Sequence, residues 1–228
     1  MVHPTSTRNK DLERIDIVVG SGSSNPTGIE AGDFNKVYFN AFQPNHGYEL
    51  FCSDGTASGT MMIADIMVGK HDSNPLYLTY FKGSIYFQAD DGYHGREPWK
   101  WVPSGSGCNE GRATILLDIR AGSSSSGSAF FTPMVSEHSG SYLYFSASDG
   151  TYTVGAESTE GYGGSQIWRT DGTASGTVHA FQKTDNDVYI DKKWVSMDHP
   201  QRFHVFENSL YLPASYGIHD VVVPNQGV

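Results

Sequence analysis

The chain of 228 residues carries 25 acidic against 15 basic side chains, a net charge of −10, with 13% aromatic residues and 26 glycines. An acidic chain with no Lys/Arg cluster excludes nucleic acid as a partner, because binding it needs a basic stripe that displaces counterions. A charged fraction of 18% with this apolar content excludes a disordered chain and a long-helix protein, and no run approaches the roughly 18 apolar residues of a membrane-spanning helix.

The N-terminal segment MVHPTSTRNKDLERIDIVV lacks the apolar core of a signal peptide. Residues 1–10 read as an arm, and 11–228 as one repeat domain. ERIDIVVGSGSSNP then resembles the tail of a repeat whose beginning is elsewhere. The first full repeat opens on Val37-Tyr38-Phe39 and continues through YELF, the loop DGTASGT (54–60) and the apolar run MMIADI. Asp-Gly marks a turn, since Asp bonds nearby amides and Gly takes positive φ. The second repeat holds four β-type runs, LYLTYF, SIYFQA, EPWKW and ATILLDI, with VPSGSGCNEGR in place of the DGTxxGT loop. The third opens on Leu143-Tyr144-Phe145 and reaches SQIW and a second DGTASGT (171–177), after an insertion near TYTVGAESTEGY. The fourth opens on Leu210-Tyr211-Leu212 and ends in HDVVV.

Each anchor is followed two residues later by alanine: Ala41, Ala89, Ala147 and Ala214. Four short strands per repeat of about 50 residues is the signature of a propeller blade. The expected fold is all-β, a single-domain four-bladed β-propeller with anchors near 37–39, 85–87, 143–145 and 210–212. The termini would share one blade, with strands around Ile15–Val19 and Val221–Val223 adjacent, which removes exposed edges.

IYFQADDGYHGREPW (85–99), ELFCSDGTASGT (49–60) and IWRTDGTASGT (167–177) resemble the ELWxxDGTxxGT repeat family of large secreted or surface proteins. The resemblance covers most of residues 13–220. Its departures are Pro98 where the family has Leu, the lost loop of the second repeat and the insertion of the third. It implies a propeller-like fold and favours an extracellular or cell-surface location. It implies no reaction.

Asp54 and Asp171 read as structural turn residues whose carboxylates accept backbone amides. Asp90, Asp91 and Asp149 sit beside Gly turns and are the candidate metal ligands, for calcium. They supply two or three oxygens per loop where six to eight are needed, so a polar turn competes with that reading. No cofactor is required. His46, His94 and His219 hold roughly matching repeat positions. They read as hairpin ends, with convergence on a zinc ion as the alternative. Cys52 and Cys108 show no metal-type spacing and read as isolated thiols, with a disulfide as the alternative. No nucleophile elbow, phosphate loop or zinc-protease motif occurs.

Loop aromatics beside Asp and Asn suit sugars, by stacking and hydrogen bonding. Tyr93, Tyr152, Glu157 and Tyr162 are the candidate ligand contacts, whereas Trp99 and Trp168 read as inter-blade packing. Tyr144 and Trp168 stand 24 residues apart where Tyr86 and Trp99 stand 13 apart, and the insertion Tyr152–Gly164 is where function is expected to concentrate. The expected protein is a non-catalytic binding or scaffold module for carbohydrate or another protein, without membrane insertion. A structural subunit of a large assembly is the first alternative and a glycan-active enzyme the second.

Overall fold

A computed structural model describes residues 14–134, 141–150, 166–180, 204–206, 209–212 and 221–223. All described secondary structure is β. The first sheet contains β1 (Thr27–Ala31), β2 (Val37–Gln43), β3 (Gly47–Ser53) and β4 (Met61–Ala64) in chain order. The second contains β5 (Leu76–Phe81), β6 (Ser84–Asp90), β7 (Arg96–Pro103) and β8 (Gly111–Ile115), again in order. The third contains β9 (Ala129–Met134), β10 (Tyr142–Ala147), β11 (Gln166–Thr170) and β12 (Val178–His179). β13 (His204–Phe206), β14 (Ser209–Leu212) and β15 (Val221–Val223) form a three-stranded sheet. Every pairing is antiparallel. Among the described residues no helix is long and apolar enough to cross a membrane.

Both faces of each central strand are apolar, and the period-2 alternation sends alternate residues to different neighbours. Phe87 and Ala89 of β6 pack with Tyr38, Leu50 and Cys52 of the first sheet. One sheet further on, Phe145 and Ala147 of β10 pack with Phe81 and Tyr86 of the second. The aromatic-x-Ala face thus meets the preceding sheet, and the tyrosine meets the following one. Register repeats with it: Phe39 stands opposite Phe51, Phe87 opposite Trp99 and Phe145 opposite Trp168. In the first sheet the matching face, Phe39, Ala41 and Phe51, is 0–6% exposed, and Ile17 lies against it.

The first strands of successive sheets touch: β1 with β5, β5 with β9, and β9 with β13. Each of the first three has the same defect, a register shift spanning 27–30, 76–79 and 129–132. In each bulge one residue is left-handed: Gly28 (φ 63°), Tyr77 (φ 58°) and Phe130 (φ 56°). Glycine takes that conformation freely, whereas a bulky side chain there costs on the order of 1–3 kcal/mol.

The stretch around Ile15–Val19 forms no strand, contrary to expectation. The reason lies in the phase of the repeat. β4 and β8 end before Asp65 and Leu116, so MMIADI and ATILLDI are strands only in their first halves. Asp65-Ile66 and Asp118-Ile119 begin links to the next sheet, and Asp16-Ile17 is their counterpart. All three links end alike: the Ser24, Ser73 and Ser126 carbonyls accept the amides of Phe42, Asp90 and Ser148 at 2.8, 3.0 and 2.8 Å. The next residues, Asn25, Asn74 and Gly127, all have positive φ.

The two cysteines are not isolated thiols. Cys52 of β3 and Cys108 of the β7–β8 loop form a disulfide between the first and second sheets, 56 residues apart in sequence. That loop is the one without the DGTxxGT pattern. It is tied down from the first sheet a second time by the buried Lys36, whose Nζ donates to the carbonyls of Gly105 (3.3 Å) and Gly107 (2.8 Å).

Candidate functional site

In a meander, alternate turns fall at opposite ends. The β3–β4 and β11–β12 loops share one end. The β2–β3 and β6–β7 turns, the stems of the β10–β11 connection and the inter-sheet links share the other.

At the first end the two DGTASGT loops have the same internal wiring. Asp54 Oδ1 accepts the amide and hydroxyl of Thr56 at 2.9 and 2.8 Å, and the Thr56 hydroxyl accepts the Gly59 amide at 2.9 Å. Asp171, Thr173 and Gly176 repeat those three distances. These bonds hold both carboxyls below the usual range, the Thr hydroxyl contributing most. A Cβ at Gly59 or Gly176 would collide with the aspartate, so the motif needs glycine there. The buried Thr177 hydroxyl is shared between the Thr173 carbonyl (2.6 Å) and the Thr170 hydroxyl (2.8 Å). Thr177→Val keeps the shape and removes both bonds. It is expected to cost about 1–2 kcal/mol, read as a lower urea midpoint at unchanged slope.

At the opposite end a buried acid anchors each of the first two sheets. The Glu49 carboxylate, 0% exposed, accepts the amides of Ile66 (2.9 Å), Met67 (3.4 Å) and Ser73 (3.1 Å) and the Ser73 hydroxyl (2.6 Å). Glu97, also 0% exposed, accepts the amides of Ile119 (3.0 Å) and Ser126 (2.8 Å). Each glutamate therefore clamps the link to the next sheet. Burial pushes both carboxyls up to about 7, against the pull of the hydrogen bonds they accept. The third sheet has Gln166 at this position. Its amide nitrogen donates to Asp149 Oδ1 at 2.7 Å, and its oxygen accepts the Asp149 amide at 3.1 Å.

At the same end each of the first three sheets carries a His–Asp pair: His46 with Asp65 (2.9 Å), His94 with Asp91 (2.7 Å) and His179 with Asp149 (3.2 Å). The Asp91 hydrogen bond raises the imidazole of His94. His46 and His94 thus serve their own sheets, and His219 lies outside the described residues. Asp91 Oδ1 also accepts the amides of Tyr93 and His94, both at 2.9 Å, and Asp90 Oδ1 accepts that of Gly92 at 2.8 Å. The candidate metal ligands Asp90 and Asp91 are engaged in this turn, and Asp149 belongs to the third sheet. Among the described residues no three His, Cys, Asp or Glu side chains gather as a metal site.

Of the predicted ligand contacts, Tyr93 is 79% exposed at the tip of the β6–β7 turn. Tyr152, Glu157 and Tyr162 lie outside the described residues. The described residues that flank them, Ser148–Gly150 and Gln166, lie at the same end as Tyr93. Trp101 and Trp168 are buried in the inter-sheet cores, and Trp99 packs against the first of these. The glutamate clamps were missed in the sequence, although Glu49 and Glu97 recur at one repeat position beside strand aromatics.

No family model, curated protein or solved structure matches this chain.

Proposed function

We propose that the protein is a non-catalytic carbohydrate-binding module on a closed four-bladed propeller, a reading in line with the propeller-like fold that the ELWxxDGTxxGT resemblance implies. Closure is supported by the buried Phe39–Ala41–Phe51 face. In the second and third sheets that face meets the preceding sheet, so in the first it is assigned to the sheet of β13–β15. The link-like geometry of residues 14–26 supports the same arrangement. An extracellular setting fits the disulfide, since such bonds persist where the environment is oxidising.

The observation that carries the binding reading is Tyr93. An aromatic side chain 79% exposed stands on a backbone fixed by Asp91. The acids and imidazoles around it are bound into their own turns, which supports binding rather than turnover. A glycan array with the full chain is expected to show binding to at least one sugar class. Tyr93→Ala is expected to weaken it about tenfold, the 1.4 kcal/mol scale of one anchoring aromatic, without moving Tm. An array blank for every class would refute the proposal.

A further inference from the structure

The leading strands hold a pair of aromatics at the Tyr93 end. Leu76 pairs with Gln88, and the Ser73 carbonyl accepts the Asp90 amide, so the β5 bulge adjoins the root of the turn that carries Tyr93. In that bulge Tyr77 is left-handed and 40% exposed, and its ring lies 4.8 Å from that of Phe130 at 48°. Phe130 is the equivalent, equally left-handed residue of the next sheet. The first sheet makes the same bulge with Gly28, where an added Cβ would meet only Leu78 Cδ1 at 3.8 Å. The bulge needs no aromatic, since glycine makes it without strain. Tyrosine and phenylalanine are strained there, the tyrosine ring is exposed and the phenylalanine half-buried beneath it, so neither backbone nor core accounts for the tyrosine. Such strain is a recurrent mark of ligand sites. Gly28, with open space where a side chain would stand, lies on β1 beside β5, the strand that carries Tyr77.

We infer that a pyranose ring binds over Gly28 and stacks on Tyr77, with Phe130 backing the tyrosine, as an inner subsite of the Tyr93 surface. The inference rests on the carbohydrate reading above. The flat hydrophobic face of a pyranose matches an aromatic ring, and a slot beside a fixed ring needs no rearrangement to receive it. Tyr93 and Tyr77 then contact different residues of one oligosaccharide.

The test is calorimetric titration of the full chain with maltotriose, cellotriose and N-acetylchitotriose, each paired with a melting curve. At least one trisaccharide is expected to bind. Tyr77→Gly removes the ring and relieves the left-handed strain, so binding should fall at least tenfold while Tm holds or rises. Tyr77→Phe should retain binding. Gly28→Asn, a residue that tolerates positive φ, should weaken binding by filling the slot. Wild-type affinity in Tyr77→Gly, with loss confined to Tyr93→Ala, overturns the inner subsite and leaves the proposed function standing. A large drop in Tm for Tyr77→Gly, with Gly28→Asn binding normally, assigns the ring to packing and also overturns it. No binding of any trisaccharide to wild type overturns the subsite, and a blank glycan array removes the underlying function as well.

Discussion

Replacing Cys52 and Cys108 by alanine is expected to lower stability by about 4 kcal/mol and Tm by roughly 10 °C. A cross-link closing a 56-residue loop removes chain entropy from the unfolded state, and the loop-length relation gives about 4 kcal/mol. That is a large share of the 5–15 kcal/mol typical of a domain, and each kcal/mol moves Tm by about 2–4 °C at this size. The location sharpens the effect. The β7–β8 loop lacks the Asp–Thr–Gly wiring of its counterparts; beyond the bonds Glu110 makes with Ser104 and Gly107, it is held to the first sheet by Lys36 and the disulfide. Its peptide bonds near Gly105–Gly107 should be the first cut by protease after reduction. The check is a pair of melting curves with and without reductant, beside thiol counting in the denatured, unreduced protein. Two titratable thiols, or identical Tm values for wild type and the double alanine variant, would show that the bond contributes nothing.

The strands were legible because both faces of each central strand are aromatic or β-branched and Gly-rich turns punctuate them. LYLTYF, SIYFQA and EPWKW correspond to β5, β6 and β7 within a residue or two. The DGTASGT turns were legible because the bonds within each loop are local, spanning at most seven residues, as from Ser53 to Thr60; the Lys100 bond to the Gly172 carbonyl is long-range and left no such signal. Longer-range features were not. Cys52 meets Cys108 only because one sheet packs on the next, and no spacing rule encodes that. Glu49 and Glu97 read as polar strand residues, since their partners are amides 17 to 29 residues ahead. The left-handed tyrosine at position 77 carries no signal of its own, because only the comparison with Gly28 reveals the bulge. ERIDI reads as a strand because its alternation continues past the point where the paired strands of the other repeats stop. Ladder partners, rather than residue type, set that limit.

The second large effect comes from the glutamate clamps, and its sign follows from burial. In the unfolded chain Glu49 and Glu97 titrate near 4.5, whereas burial moves them to about 7 in the folded protein. Below about 4.5 both states hold the proton, and this contribution to stability is fully present. Between 4.5 and 7 the folded state binds more protons than the unfolded one, so stability falls as pH rises through that window. A displacement of this size corresponds to about 3 kcal/mol per carboxyl, lost by pH 8. Asp118, facing Glu97, pushes in the same direction, and the raised imidazole of His94 adds to the loss near neutrality. The exposed Asp54 and Asp171 act oppositely, but their folded values lie below 3.8, so they matter only in stronger acid. Urea midpoints at pH 5, 6, 7 and 8 should therefore decline steadily. Glu97→Gln imitates the protonated clamp and should flatten about half of the decline at little cost at pH 5. Glu97→Ala should be worse at every pH, because the Ile119 amide loses its acceptor, at about 1–3 kcal/mol, and the Ser126 amide keeps only the Arg96 carbonyl. Midpoints that rise from pH 5 to 7 would mean that the amides hold the carboxylates ionised and that hydrogen bonding outweighs burial. The clamps would then be permanent anions instead of protonated acids whose hold on the inter-sheet links weakens towards neutral pH.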